Sequence, residues 1–159
     1  MRTRLFWCTL VLILLVLNGI IASKEGLLRS GQTVTMRLKI STGPRGPSQL
    51  TLTYDLTATL VKVPSIPGQT GALVVTLDKD NVAKFVRYHA GEKLADDEHL
   101  LRYHAENGWT RVGVESFSIP EGKSSAYSSA QYAEFRVSPN GDAILTGLLG
   151  PKFEPLGSQ

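Results

Sequence analysis

The chain of 159 residues has one cysteine, Cys8, and none after it. That absence excludes a disulfide framework and a thiolate metal site from everything downstream, so stability there must come from a hydrophobic core. Strong charge of either sign is lacking as well. Of seventeen Lys and Arg residues, Arg2 and Arg4 belong to the N-terminal lead, and setting those two aside leaves fifteen bases against fourteen acids. Most of the chain is thus close to neutral, and the electrostatic footprint of a nucleic-acid binder is missing. Neither a G-x-S-x-G elbow nor a phosphate loop of the P-loop or dinucleotide type occurs, and no motif implies a cofactor. A charged fraction of 19% and a hydrophobic fraction of 42% indicate neither disorder nor a multi-pass membrane protein. The length suits one globular domain.

What is present begins with MRTR, a short basic lead, followed by LFWCTLVLILLVLNGIIA, residues 5 to 22, without a charge. As a helix those 18 residues span roughly 27 Å, close to the hydrocarbon thickness of a bilayer. A cleaved secretory signal is the competing reading, but it needs small residues before Ser23, and the pair there is Ile20 and Ala22. The expectation is a retained anchor in contact with the lipid bilayer. Arg2, Arg4 and the terminal amine favour a cytoplasmic N-terminus, with the rest of the chain on the far side. Residues 23 to 31, SKEGLLRSG, read as a tether with turn formers at both ends.

From residue 32 to about 150 the pattern is that of strands. In QTVTMRLKI, residues 32 to 40, Val34, Met36, Leu38 and Ile40 share one face and Thr33, Thr35, Arg37 and Lys39 the other. QLTLTYDLTATL, residues 49 to 60, repeats this period with Leu50, Leu52, Tyr54 and Leu56 on one side. The intervening STGPRGPS reads as a rigid loop whose Pro and Gly residues preclude ladder pairing. ALVVTL and VAKFVRYH flank a DKDN turn, and Asn107-Gly108 and the PNGD segment mark two more hairpins. TRVGVESFSI reads as a strand leading to Pro120, and residues 151 to 159 form a tail. The predicted fold is mainly β: an N-terminal transmembrane helix, then one antiparallel β domain, barrel-like or sandwich, with one short helix near 123 to 131.

RYHA occurs at 87 to 90 and again at 102 to 105 without matching flanks, so neither a duplicated unit nor a histidine metal site follows from it. His99 and His104, five apart, fall on opposite faces of a strand. Lys123 to Gln131 contains no Gly, Pro or β-branched residue, which fits a connecting helix after the Pro120-Glu121-Gly122 turn. Ser124 or Ser125 as a hydrolase nucleophile would need a base and an oxyanion site in reach, and Lys123 lies on a different part of a helix surface. Glu115 and Glu121, six apart, carry little information as an acid pair. Arg45, held between Pro44 and Pro47 in GPRGP, is presented at low entropic cost for a carboxylate or phosphate, its own protein's Glu included. Tyr54, Glu121 and Tyr127 complete the candidate contact residues. A common pocket would make them a ligand site.

The segment VESFSIPEGKSSAYSSAQYAEFRVSPNGDAILTGL, residues 114 to 148, resembles the closing part of the bacterial GDYXXLXY family. Glu121, Gly122, Tyr127, Tyr132, Gly141, Gly147 and Leu148 fall on the family's positions. LADDEHLLRYHAENGWTRVG, residues 94 to 113, is similar to the segment that precedes it there, and the order of membrane helix, G-x-T-V-x-L-x-L strand and naming motif is also matched. In that motif Pro44 and Arg45 keep the P-R and Leu52 and Tyr54 the L-x-Y, but GPSQ stands where a spacer and G-D-Y are expected. The prolines of GPRGP shape the turn by another route. The resemblance implies a membrane-anchored bacterial protein of unassigned role, whose relatives often accompany multi-pass membrane proteins. It leads to the expectation of a single-pass inner-membrane protein: lead and anchor over 1 to 22, tether over 23 to 31, and a periplasmic β domain over 32 to 150. That domain is read as a non-catalytic interaction module working with integral membrane partners. An envelope hydrolase at the membrane surface and a small-ligand-binding domain stand as alternatives.

Overall fold

The computed structural model describes residues 2–43, 46–60, 70–106 and 109–157. Helix α1 (Arg2–Ser30) leads directly into strand β1 (Gln32–Gly43). There follow β2 (Gly46–Tyr54), α2 (Asp55–Leu60), β3 (Thr70–Leu77), β4 (Ala83–Tyr88), β5 (Glu98–Glu106) and β6 (Trp109–Val112). The chain closes with β7 (Ser116–Ser118), α3 (Ser124–Tyr127), β8 (Tyr132–Val137) and β9 (Ala143–Leu149). Among the described residues the strands form two antiparallel sheets, ordered β7-β2-β1-β8-β9 and β4-β3-β5-β6. The expectation of a mainly β fold behind an apolar helix holds, and the sheets curl around one core.

The tether read at residues 23 to 31 is instead the last two turns of α1. Glu25 and Arg29 stand one turn apart, a spacing that supports helix, and the Ser30 hydroxyl donates back to the Gly26 carbonyl at 2.8 Å. The helix stops at Gly31, whose N–H donates to the Leu27 carbonyl at 2.8 Å. A Cβ there would lie 2.5 Å from that oxygen, so the tight exit requires glycine. The Arg136 guanidinium then donates to the Gly31 carbonyl at 3.2 Å and pins the helix end to β8.

Strand β1 is shared. Its first half pairs with β8, from Gln32↔Val137 to Arg37↔Tyr132, and its second half with β2, from Leu38↔Tyr54 onward. Where β2 has not yet reached, the β3–β4 turn fills the edge: the Thr35 N–H donates to the Asn81 carbonyl at 2.8 Å, and Thr35 bridges Val82. Thr35, expected on the polar face, is therefore buried. The ladder also runs closer to the proline loop than expected, since Gly46 pairs with Gly43. Pro47, which has no N–H to donate, falls in the irregularity between that pair and Thr42↔Leu50.

Residues 55 to 60, read as the end of a strand, form the turn of helix α2. Asp55 opens that turn, a favourable place for a carboxylate, and the Thr57 hydroxyl closes on the Tyr54 carbonyl at 2.6 Å. Leu56 is buried either way, which is why a short alternation could not separate strand from helix here. TRVGVESFSI is likewise not one strand. β6 ends at Val112, Gly113 turns at φ 64°, and β7 joins the other sheet beside β2. The helix expected over 123 to 131 is a single turn, because the Gln131 N–H donates to the Leu149 carbonyl at 2.9 Å and draws the chain into the β8 ladder.

The largest fully buried side chains are Tyr54, Phe135, Met36, Leu73, Leu101 and Leu148, contributed by both sheets. The β8–β9 turn locks the sheets together at one end: the Arg102 N–H on β5 donates to the Gly141 carbonyl at 2.9 Å. Residues 151 to 157 fold back over β9, with Phe153 stacked on Tyr132 at a centroid distance of 4.5 Å.

Candidate functional site

The residues singled out from the sequence are not brought to one place. Tyr54 sits at the end of β2 with its ring edge-on to Phe135, centroids 5.8 Å apart, and its hydroxyl donates to the Val114 carbonyl. Burial pushes that hydroxyl far above the ordinary tyrosine range, so it stays protonated. Tyr54→Phe keeps the packing and removes the hydrogen bond, and urea unfolding should report a loss of about 1 kcal/mol. Tyr127 closes α3 against Phe117, ring centroids 5.2 Å apart. Its hydroxyl points at Gly157, where a Cβ would lie 2.0 Å away. Glu121 is exposed on the turn before α3, and Arg45 lies outside the described residues, as does the Asn107-Gly108 turn. Tyr54 and Tyr127 line separate small cavities of about 270 and 510 Å³. Glu115, once weighed as an acid, is ion-paired with Arg111.

A larger groove, about 780 Å³, lies along β3 and β5 and ends at the β8–β9 turn. It is lined by Thr70, Ala72, His89, Arg102, His104 and, from the turn, Asp142. The two RYHA segments produce it. β3 runs between β4 and β5, Ala72 opposite Arg102 and Thr70 opposite His104, while the His89 N–H donates to the Ala72 carbonyl at 3.0 Å. Side chains alternate along a strand, so His89, Arg102 and His104 share the face opposite Leu73 and Leu101. The tyrosines of the same segments turn the other way, Tyr88 edge-on to Tyr103 at 5.6 Å. Gly71 makes room for them, since a Cβ there would lie 2.8 Å from the Tyr103 ring. Arg102 is ion-paired with Asp142 at 3.2 Å. His99 lines a different groove, with Glu98 and Leu94. The repeat in the sequence was the signal for this site, but only the pairing of both segments with β3 gives it meaning.

Next to the groove, Arg87 is ion-paired with Glu92 and Glu98, and the Ala90 and Ala95 N–H groups donate to those carboxylates at 2.8 and 3.0 Å. This set folds the loop after β4 back onto the sheet. Glu92 is pushed down to about 2, first by backbone N–H donors, its own and that of Ala90, and then by Arg87. Glu98 is lowered first by Arg87 and then by the Ala95 N–H. Both carboxyls titrate lower when folded than the value of about 4.3 expected of an unfolded glutamate. Their contribution to stability is therefore complete above that value and is lost as pH falls below it, for Glu92 down to about 2. Urea midpoints measured from pH 7 to 2.5 should fall across that window, and Arg87→Met should flatten the fall.

A third groove, about 850 Å³, runs along α1 from Val16 to Gly31 and meets the other side of the β8–β9 turn at Ser138 to Ile144. Asn140, Asp142 and Ala143 line both it and the groove on β5. The helix itself exposes Trp7, Val11 to Leu17, Ile20 and Ile21, and Val11–Ser30 is long and apolar enough to cross a membrane. Its Asn18 amide donates to the Leu14 carbonyl at 2.9 Å, which satisfies part of a polar group within that apolar surface.

No curated protein and no solved structure matches the chain. The family model described as GDYXXLXY protein matches residues 13–148, from the middle of α1 to the end of β9, and so spans both the helix and both sheets. The chain belongs to the GDYXXLXY family, a family of unknown function.

Proposed function

We propose that the protein is a single-pass inner-membrane protein of a bacterium, with its N-terminus in the cytoplasm and residues 32 to 150 as a periplasmic, non-catalytic interaction domain for an integral membrane partner. The observation that carries the reading is α1. Its apolar side chains are exposed all round, a surface that water does not tolerate on a monomer and that a bilayer covers. No loop separates the helix from the domain: Gly31 joins α1 to β1, and Arg136 fastens the junction. A domain held so close to its anchor presents the α1 groove and the β8–β9 turn to whatever lies beside the helix in the membrane. Exposed sheet edges and, from the sequence, Arg45 offer further contacts, by strand addition and by a guanidinium contact.

Orientation is tested by fusing alkaline phosphatase after residue 31. An active fusion is expected, and an inactive one would place the domain in the cytoplasm. Purification from detergent-solubilised membranes should recover a complex that Arg45→Ala weakens. Recovery of a monomer alone would contradict the interaction role. The groove on β5 favours a second role in ligand binding.

A further inference from the structure

The groove between β3, β5 and the β8–β9 turn has no part in anchoring, yet it gathers nitrogen donors from β5 and from the residue that follows β4 around a floor of small residues. Arg102 and His104 are two residues apart on β5, about 7 Å along the strand, and His89 stands two strand spacings from Arg102, about 10 Å. Ala72 and Thr70 occupy the strand between them, and neither is long enough to fill that space. Long side chains on either side can converge above a short one. A guanidinium and two imidazoles, His89 through Nε2 since its Nδ1 faces Glu92 at 3.6 Å, suit a tetrahedral anion, which accepts hydrogen bonds on several sides, better than a planar carboxylate. The Thr70 hydroxyl and the Asn140 amide lie on the same lining. Asp142, paired with Arg102 at 3.2 Å, is exposed enough to yield to a competing anion: its side chain is 55% exposed and that of Arg102 63%.

We propose that this groove binds a phosphate group, through Arg102 with His104 and His89. The phosphate comes either from a soluble phosphate monoester or from a phospholipid headgroup. Asn140, Asp142 and Ala143 also line the groove that follows α1, so a headgroup at the membrane surface has a continuous path to the site.

The test uses the full chain at fixed pH, with the imidazole resonances of the three histidines followed by NMR. Glycerol 3-phosphate is added to protein in phosphate-free dodecyl maltoside micelles, and separately phosphatidylglycerol is added to the same micelles. Saturable shifts of His89 and His104, with His99 unmoved, are expected in at least one arm. A response to phosphatidylglycerol alone assigns the headgroup, and a response to glycerol 3-phosphate alone assigns a soluble ester. Arg102→Gln should weaken binding by about tenfold or more. Asp142→Asn, which removes the competing carboxylate, should tighten it. No saturable shift in either arm, or equal shifts at all three histidines, would overturn the proposal. So would unchanged affinity in a folded Arg102→Gln protein. Should that variant not fold, unchanged or weaker affinity in Asp142→Asn would overturn it.

Discussion

Phe135→Ala should destabilise the β domain by about 3–5 kcal/mol, the cost of emptying a large aromatic site in a packed core. Phe135 lies in the middle of β8, is fully buried, and packs edge-on against Tyr54 from β2. Its partner across the ladder is Leu145, beside the irregularity at Glu134, so backbone and side chain are both fixed. The surroundings cannot collapse easily, because Met36 on the adjacent strand and Gly113 on the sheet crossover touch the same volume. For a domain of this size, the melting temperature should fall by about 10 °C or more. Chemical denaturation of the full chain in micelles, followed by aromatic circular dichroism, measures the change. A loss below about 1 kcal/mol would mean that Phe135 is not at the centre of the core.

Gly113→Ala should cost about 2–5 kcal/mol, from two separable causes. The backbone at Gly113 has φ 64°, a conformation that an L residue adopts at a penalty of about 1–2 kcal/mol. In addition, the new Cβ would sit 2.9 Å from the Phe135 ring and 3.6 Å from the Met36 methyl, an overpacking worth about 1–3 kcal/mol. Gly122 provides the control. It has φ 78° but open space where a Cβ would stand, so Gly122→Ala should show the backbone penalty alone. In a Phe135→Leu background the packing part of the Gly113→Ala cost should shrink, and the double-mutant cycle isolates it. Equal costs for Gly113→Ala and Gly122→Ala would show that the crossover has slack.

Much of the fold is legible in the residues, and the misreadings share a cause. Strict alternation in residues 32 to 40 located β1 because one face of it meets the core, and the PNGD turn marked the β8–β9 hairpin. The same period in DLTATL did not mark a strand, since the Thr57 hydroxyl donates back to the Tyr54 carbonyl and closes a helical turn. TRVGVESFSI looked continuous, as nothing in it announces that Gly113 carries the chain from one sheet to the other. SKEGLLRSG looked like a tether because serine and glycine serve as turn formers, yet Ser30 bonds back into the helix it was thought to end.

The site was harder to see. RYHA appeared twice in the sequence, and its meaning depends on where two neighbouring segments place their alternate residues. Register is a long-range property: His89 and His104 lie on one face only because both flank β3. Tyr54 and Tyr127, chosen as contact residues, are buried against Phe135 and Phe117.

The interaction role is tested most directly by photocrosslinking in intact membranes. A crosslinking amino acid is placed at Ile20 on α1, at Asn140 on the β8–β9 turn, and at Lys79 on the β3–β4 turn as a control outside the α1 groove. The account predicts a discrete crosslinked species with an integral membrane protein from Ile20 and Asn140 and none from Lys79. Monomer alone from all three positions, or the same pattern from Lys79, would contradict it.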